Sequence, residues 1–479
     1  MMPEYLLISI LCGYFFVIMC IAWYTSRNTD THSFFTANKS SPWYLVAFGM
    51  IGASLSGVTF ISVPGNVVKV QFGYFQMVLG YVLGYVVIAE LLMPLYYRLN
   101  LVSIYTYLEQ RFGRITYRWG AFFFLLSRTL GSALRLFLAA NVLQIFLFHR
   151  WNVPFIVTVA ITIGLIWLYT FRGGIKTIVW TDTFQTFFLI SSVVLSVYLI
   201  SSRLGLGFTD MLEAIYNSRY SKIFFWEDMN SRLFFPKMFF GGMFIAIAMT
   251  GLDQDLMQKN LTCRNIKEAK LNMYSFTGVL VVVNLFFLSL GALLYIYCEQ
   301  RGIEVPKRTD DMFPMLAMGE LGLSAGVFFI LGITASSYAS ADSALAALTT
   351  SFCIDFLDFK NKTEQVRRRQ KTYVHVGFSF VFLLVILIFY YINHRAIIDV
   401  VLDLAGFTYG PLVALFALGM FTKRKLNEKW VPWVCIVCPL LSVLIYYGSS
   451  FLLNGFEFGS SIIILNSALC SLGFWWASK

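Results

Sequence analysis

The stretch Gly332-Ile333-Thr334-Ala335-Ser336-Ser337-Tyr338-Ala339-Ser340-Ala341-Asp342-Ser343 sets a row of hydroxyls and one carboxylate into an otherwise apolar run. Ser336 and Ser340 are four apart and share one face of a helix. Hard cations take oxygen ligands. Hydroxyls and main-chain carbonyls supply those oxygens without the charge density that holds a divalent ion, so the pattern fits sodium. The plain alternative is hydroxyls bonded back to the carbonyl four residues earlier. A second stretch, Gly49-Met50-Ile51-Gly52-Ala53-Ser54-Leu55-Ser56-Gly57-Val58-Thr59-Phe60, gathers glycines, small residues and hydroxyls. It reads as close helix packing through small residues, or as an unwound segment whose freed carbonyls coordinate a cation and whose freed N–H groups face an anionic solute.

Three charged residues join these stretches. Asp182, in Val179-Trp180-Thr181-Asp182-Thr183-Phe184-Gln185, is either a carboxylate answering a helix dipole or an ion ligand. Arg135 lies in mid-run among apolar neighbours, and Arg128 lies two turns earlier on nearly the same face, at about 100° per residue. A buried guanidinium needs an anion or carbonyls. It pairs with a buried Asp or with helix-end carbonyls, or it clamps a substrate carboxylate through two parallel hydrogen bonds. The clamp is expected of Arg135 only.

These residues must be held by membrane-spanning helices. The chain has 479 residues, 58% apolar, 18% aromatic and 13% charged, against about 25% charged in soluble domains. Mean hydropathy is +0.72. That leaves too little polar surface for a water-soluble enzyme of this size, and intrinsic disorder and a disulfide scaffold are equally excluded. The expected fold class is all-α integral membrane. Thirteen segments approach the roughly 20 apolar residues that a span requires: 5–26, 43–66, 73–97, 117–148, 153–171, 176–202, 235–254, 273–298, 313–351, 372–393, 397–421, 430–453 and 458–478. The first is preceded by Glu4 and followed by Arg27, which fits a retained helix and not a cleaved signal. The amphipathic segment 203–234, with Phe224, Phe225 and Trp226, is read as a short helix lying on the membrane.

With the N-terminus outside, 23 of the 36 Lys and Arg residues, Lys259 among them, fall on the cytoplasmic side and 11 outside. The positive-inside rule therefore gives N-out, C-in. Topology explains the net charge of +11 better than nucleic-acid binding does. The lack of a targeting segment suits a bacterial inner membrane, and no appended soluble or signalling domain is expected.

Enzymatic chemistry has no support. His32, His149, His375 and His394 lie at helix ends or in loops, and none pairs at metal-ligand spacing. There is no G-x-S-x-G, H-E-x-x-H or phosphate loop. Cys435 and Cys438 have C-x-x-C spacing inside an apolar run and are read as small apolar filler.

Several segments, in order, resemble the sodium:solute symporter family, which includes the sodium-coupled sugar, proline, iodide and sialic acid carriers. They are Ser33-Phe34-Phe35-Thr36-Ala37-Asn38-Lys39-Ser40-Ser41-Pro42-Trp43, Gly173-Gly174-Ile175-Lys176 with Trp180-Thr181-Asp182 and Gln185, and Gly251-Leu252-Asp253-Gln254 with Gln258. Ser336-Ser337-Tyr338-Ala339-Ser340 and Gly410-Pro411 through Gly419-Met420-Phe421 complete the set. The resemblance implies one transmembrane domain, 1–479, with a LeuT-like core of two inverted five-helix repeats, 43–202 and 235–421. One extra helix, 5–26, precedes the core and two, 430–478, follow it. Solute and sodium would lie near the midplane between broken helices.

Carried over residue by residue, the resemblance implies a sodium site from the carbonyls of Gly52, Leu55 and Ile333 and the hydroxyls of Ser336 and Ser337. Some members hold a second sodium, which here implies Asp182, Ser336 and Ser340, although Ala339 stands where those members have a hydroxyl. The solute is expected among Ser54, Ser56, Thr59, Gln76 and Arg135. Arg135 falls close to where sialic acid carriers place an arginine for the carboxylate. Val78 stands where sugar carriers use a glutamate, with Gln76 the nearest polar residue. The implied function is a sodium-coupled symporter, working as a monomer in the lipid bilayer by alternating access. The order of solutes is sialic acid or a related acidic sugar, then a monocarboxylate or amino acid, then a neutral sugar. A non-transporting sensor or channel on the same fold is the other reading.

Overall fold

The computed structural model describes residues 4–25, 39–357, 359, 362–392 and 396–479. The stretch 33–38 and Arg27, His32, Lys360, His394 and Arg395 lie outside the described residues, as do the side chains of Arg172 and Lys176. Every regular element among the described residues is a helix.

The first, α1 (Glu4–Thr25), is 22 residues long. At about 1.5 Å per residue it just exceeds a hydrocarbon core of about 30 Å. The next predicted span is not one helix but two, α2 (Trp43–Ser54) and α3 (Gly57–Val70). Gln71, at φ 52°, then turns the chain into α4 (Tyr74–Val87), and helix continues through a π turn to Arg98. The central α5 (Arg114–Phe146) follows. In α6 (Phe155–Arg203), the arm before residue 171 and the arm after 176 both run beside the later serine-rich helix.

The second half repeats the theme of interruption. α7 (Phe235–Ala246) runs through a π turn to Gly251 and meets α8 (Gln254–Asn260) at a 69° bend. Then come α9 (Ile266–Arg301), the serine-rich α10 (Leu323–Ser351) and α11 (Glu364–Ile392). A 45° bend separates α12 (Ile397–Thr408) from α13 (Gly410–Phe421), and α14 (Val431–Leu452) and α15 (Ile462–Trp476) end the chain.

Each of the thirteen predicted segments falls on helix. By length and apolar composition nine described helices can span a membrane, or up to eleven if each bent pair is one span. Burial separates centre from rim. The most apolar windows of α5 and α10 are each 78% buried, against 17% for α11 and 22% for α14. Arg128, Arg135 and the serine-rich stretch therefore sit on the two most buried of these helices, where such residues are tolerated. One local expectation fails. The helix of segment 203–234 is Phe208–Tyr216, which turns Phe208, Leu212 and Tyr216 outward at four-residue spacing. Phe224, Phe225 and Trp226 are not helical: the Phe225 ring covers Gly73, and Trp226 packs on Phe235 at 4.5 Å between ring centroids.

Candidate functional site

The break between α2 and α3 is where main-chain oxygens come free. The last bond of α2 runs from the Leu55 N–H to the Ile51 carbonyl at 2.7 Å, and the first of α3 from the Phe60 N–H to the Ser56 carbonyl at 3.0 Å. Between them Leu55 (φ −82°, ψ 72°) and Ser56 (φ −71°, ψ 176°) leave the helical region. The carbonyls of residues 52–55 and the amides of 56–59 thus have no partner within either helix. Glycine is needed on both sides of the gap. A methyl group on Gly57 would collide with the Ser337 hydroxyl, and one on Gly52 with the Thr186 hydroxyl, which accepts the Gly52 N–H at 3.0 Å. Close packing and unwinding, alternatives in the sequence, are here the same device.

The structure brings the implied sodium ligands to this gap. Ser336 donates to the Ile333 carbonyl at 3.2 Å. Ser337 is fully buried, lies against Gly57, and its hydroxyl has no hydrogen-bond partner. A buried hydroxyl left unpartnered beside a break that frees main-chain carbonyls suits a monovalent cation. Ser337→Ala is expected to weaken sodium about 10-fold or more, the scale of one hydrogen bond to a charged group, with the fold kept. A sodium titration of thermal stability checks it, and an unchanged midpoint would remove Ser337 from the site.

Beside the gap lies an open cavity of about 680 Å³. Ser54, Ser56, Thr59 and Arg135 all line it. Tyr74, Tyr81 and Tyr85 of α4, Thr250 and Asn284 add polar groups that the sequence reading missed. The spacing of the three tyrosines at i, i+7 and i+11 on one helix face was the available signal. Gln76 does not belong to this cavity. It is fully buried and holds the outer segment instead: its amide donates to the Leu233 carbonyl at 2.9 Å and accepts the Phe225 N–H at 3.1 Å. On the helix it points away from the tyrosine face. Gln76→Leu is therefore expected to destabilise by about 1–3 kcal/mol through unsatisfied loop groups. Sodium affinity, read in the same thermal titration, should stay unchanged.

The two arginines of α5 separate in role. Arg128 is buried and bonded to Asp255, with Asp253 3.8 Å away. Asp253 accepts the hydroxyl of Tyr409, at the α12–α13 bend, at 2.8 Å, and Ser343 donates to Asp255 at 3.0 Å. Arg128 thus ties α5 to the α7–α8 bend. Arg135 makes no ion pair among the described residues, and its Nε has no hydrogen-bond partner. It faces the cavity 8% exposed.

Asp182 is not a free ligand. Lys259, counted above as a cytoplasmic loop charge, is in fact buried in α8 and bonds Asp182 at 2.6 Å. Ser340 donates to the Ser337 carbonyl at 3.0 Å. Ser336 and Ser340 thus spend their hydroxyls on carbonyls of their own helix, while Asp182 gives Oδ2 to Lys259 and keeps a buried Oδ1 without a hydrogen-bond partner. In the described residues no group of three or more His, Cys, Asp or Glu could hold a metal ion.

Residues 34–435 match the sodium:solute symporter family. The chain is 25% identical over 448 residues to the sodium/sialic acid symporter NanT of Aliivibrio fischeri, covering 90% of this chain and 86% of that one. It is 24% identical over 467 residues to the sodium/sialic acid symporter SiaT of Proteus mirabilis, covering 94% and 91%. Its fold is similar to that of a Na⁺-coupled sialic acid symporter solved in a substrate-bound outward-open state, at TM-score 0.82 and 20% identity, over 98% of this chain and 96% of the other. A match across most of the length, together with sodium-type oxygens at a broken helix, leads to one conclusion: the chain belongs to the sodium:solute symporter family and is a sodium-coupled transporter, not an enzyme.

Proposed function

We propose that this transporter imports a small carboxylate-bearing solute, an acidic sugar of the sialic acid class first, together with sodium held by Gly52, Leu55, Ile333, Ser336 and Ser337. The observation that carries the reading is the pair of α5 arginines. One is consumed by aspartates, while the other faces a polar-rimmed cavity with its fork unspent. Ser54, Ser56, Thr59, Thr250, Asn284 and the three tyrosines offer hydroxyl and amide partners to a polyol. The apolar wall of Val58, Ile245, Leu256 and Leu280 favours a monocarboxylate as the second reading.

The interruptions at Leu55–Ser56 and at the α7–α8 bend fall in the first helix of each proposed repeat, 43–202 and 235–421, which supports the inverted arrangement. The protein is read as a monomer in a bacterial inner membrane, N-terminus outside. One sodium charge crossing 100 mV supplies about 2.3 kcal/mol, or roughly 50-fold accumulation. The test is thermal stability of the purified protein against a panel of solutes, in sodium and again in potassium. A ligand at about 100 times its Kd should stabilise by about 2.7 kcal/mol, for acidic sugars in sodium only. Stabilisation by neutral sugars alone would overturn the carboxylate reading, and equal shifts in potassium would overturn sodium coupling.

A further inference from the structure

Among the described residues that line the solute cavity, two leave a buried polar atom without a hydrogen bond. One is Arg135, at Nε, and the other is Asn284 of α9, at Oδ1. The first is a donor and the second an acceptor. Buried polar atoms are otherwise almost always paired, so a complementary pair left open on one cavity marks a place for a ligand. Asn284 is 1% exposed. Its Nδ2 donates to the Leu280 carbonyl, one turn back on the same helix, at 2.8 Å. A carbonyl only accepts, so that bond fixes which end of the amide is which. The atom left over takes an N–H or O–H from the solute.

The helix α9 carries this amide to the level of the break between α2 and α3. Asn272 bonds the Met50 sulfur near one end of α9, and Tyr295 donates to the Gly65 carbonyl near the other. The three helices therefore run in the same direction. A methyl group on Gly291 would meet the Pro64 carbonyl, so the backbones touch there. About two turns before Gly291 stands Asn284, and about two turns before Pro64 stands Gly57, at the break. Arg135 arrives from another side. α9 packs on α2, α3 and α4, whereas α5 packs mainly on α10, α11 and α12. The cavity thus reads a solute from two walls. Neither Asp nor Glu lines it. An ammonium group there would lack a counter-charge, so the donor that suits Asn284 is a neutral hydroxyl or amide N–H.

We propose that Asn284 sets the solute class of this transporter. It accepts a neutral N–H or O–H remote from the carboxylate that Arg135 holds, and so admits acidic sugars in preference to plain monocarboxylates. The inference rests on the carboxylate reading above. A solute with no donor gains nothing from the amide oxygen and, where it displaces water, leaves that oxygen unpaired.

Thermal stability of the full-length purified protein in sodium, titrated with two solutes, tests this. N-acetylneuraminate carries a carboxylate and neutral donors, and pyruvate carries a carboxylate and no donor. Asn284→Leu keeps the size of the side chain and removes the acceptor. It is expected to weaken N-acetylneuraminate about 10–100-fold and to leave pyruvate within about twofold of wild type. Asn284→Ala reads the same if the leucine variant fails to fold, and stabilisation by sodium alone reports the fold of either. Equal losses for the two solutes would make Asn284 structural and overturn the proposal, as would no loss for either. A wild type that binds pyruvate and not N-acetylneuraminate would overturn it and leave the carboxylate reading standing. A wild type that binds neutral sugars and neither acid would overturn both.

Discussion

Arg135→Ala is expected to abolish sodium-dependent recognition of carboxylate solutes while leaving sodium binding intact. Two charge-assisted hydrogen bonds to one carboxylate are together worth about 3 kcal/mol or more, at least about 100-fold in affinity. Arg135→Lys should recover only part of this, because an ammonium is a point charge and cannot present two parallel donors. The arginine enters the bound and unbound states differently. Without solute its Nε has no hydrogen-bond partner and the guanidinium makes no ion pair among the described residues, so no salt bridge has to break when a carboxylate arrives. Solute titrations of thermal stability in sodium, on wild type and both variants, check the prediction. Unaltered binding in both would make Arg135 structural and move neutral solutes to the front.

Arg128→Ala is expected to have the larger effect on stability, about 3–5 kcal/mol, the cost of removing one partner from a buried ion pair. It strips the counter-charge from Asp255 and Asp253, both almost wholly buried. Arg128→Met combined with Asp255→Leu should restore most of the loss, since an apolar pair leaves no charge behind. Thermal unfolding in detergent without sodium reads both. A single variant as stable as wild type would mean that the aspartates find another partner, with Lys259, 3.9 Å from Asp255, the nearest candidate.

The two arginines show where a sequence is informative and where it stops. Their shared face and spacing raised both possible roles, a buried aspartate or a substrate. The clamp was expected of Arg135 only, and the position of α8 shows that Arg128 is the one held by aspartates. The break at Leu55–Ser56 was legible because glycine and serine crowd there for a local reason. The thirteen apolar runs were legible because a membrane rewards length and composition alone. Lys259 was misread for the converse reason: charge counting cannot tell a loop lysine from one folded back into the protein, and the α7–α8 bend that buries it depends on packing. Gln76 was drawn into the site by proximity along the chain, whereas helix rotation turns it to the outer segment.

The seam between α4 and α7 has a practical consequence. A methyl group on Gly80 would run into the Phe239 carbonyl, one on Gly84 into that of Met243 and one on Gly242 into that of Met77, so the two backbones touch directly over about two turns. Helices in such contact cannot slide or part without opening a void along their whole length. They should therefore travel as one body whichever way the pathway opens. Spin labels at Val86 and Phe240, both of which face outward, would then keep one separation in every state. Such a pair is a built-in ruler against which the movement of any third label can be calibrated.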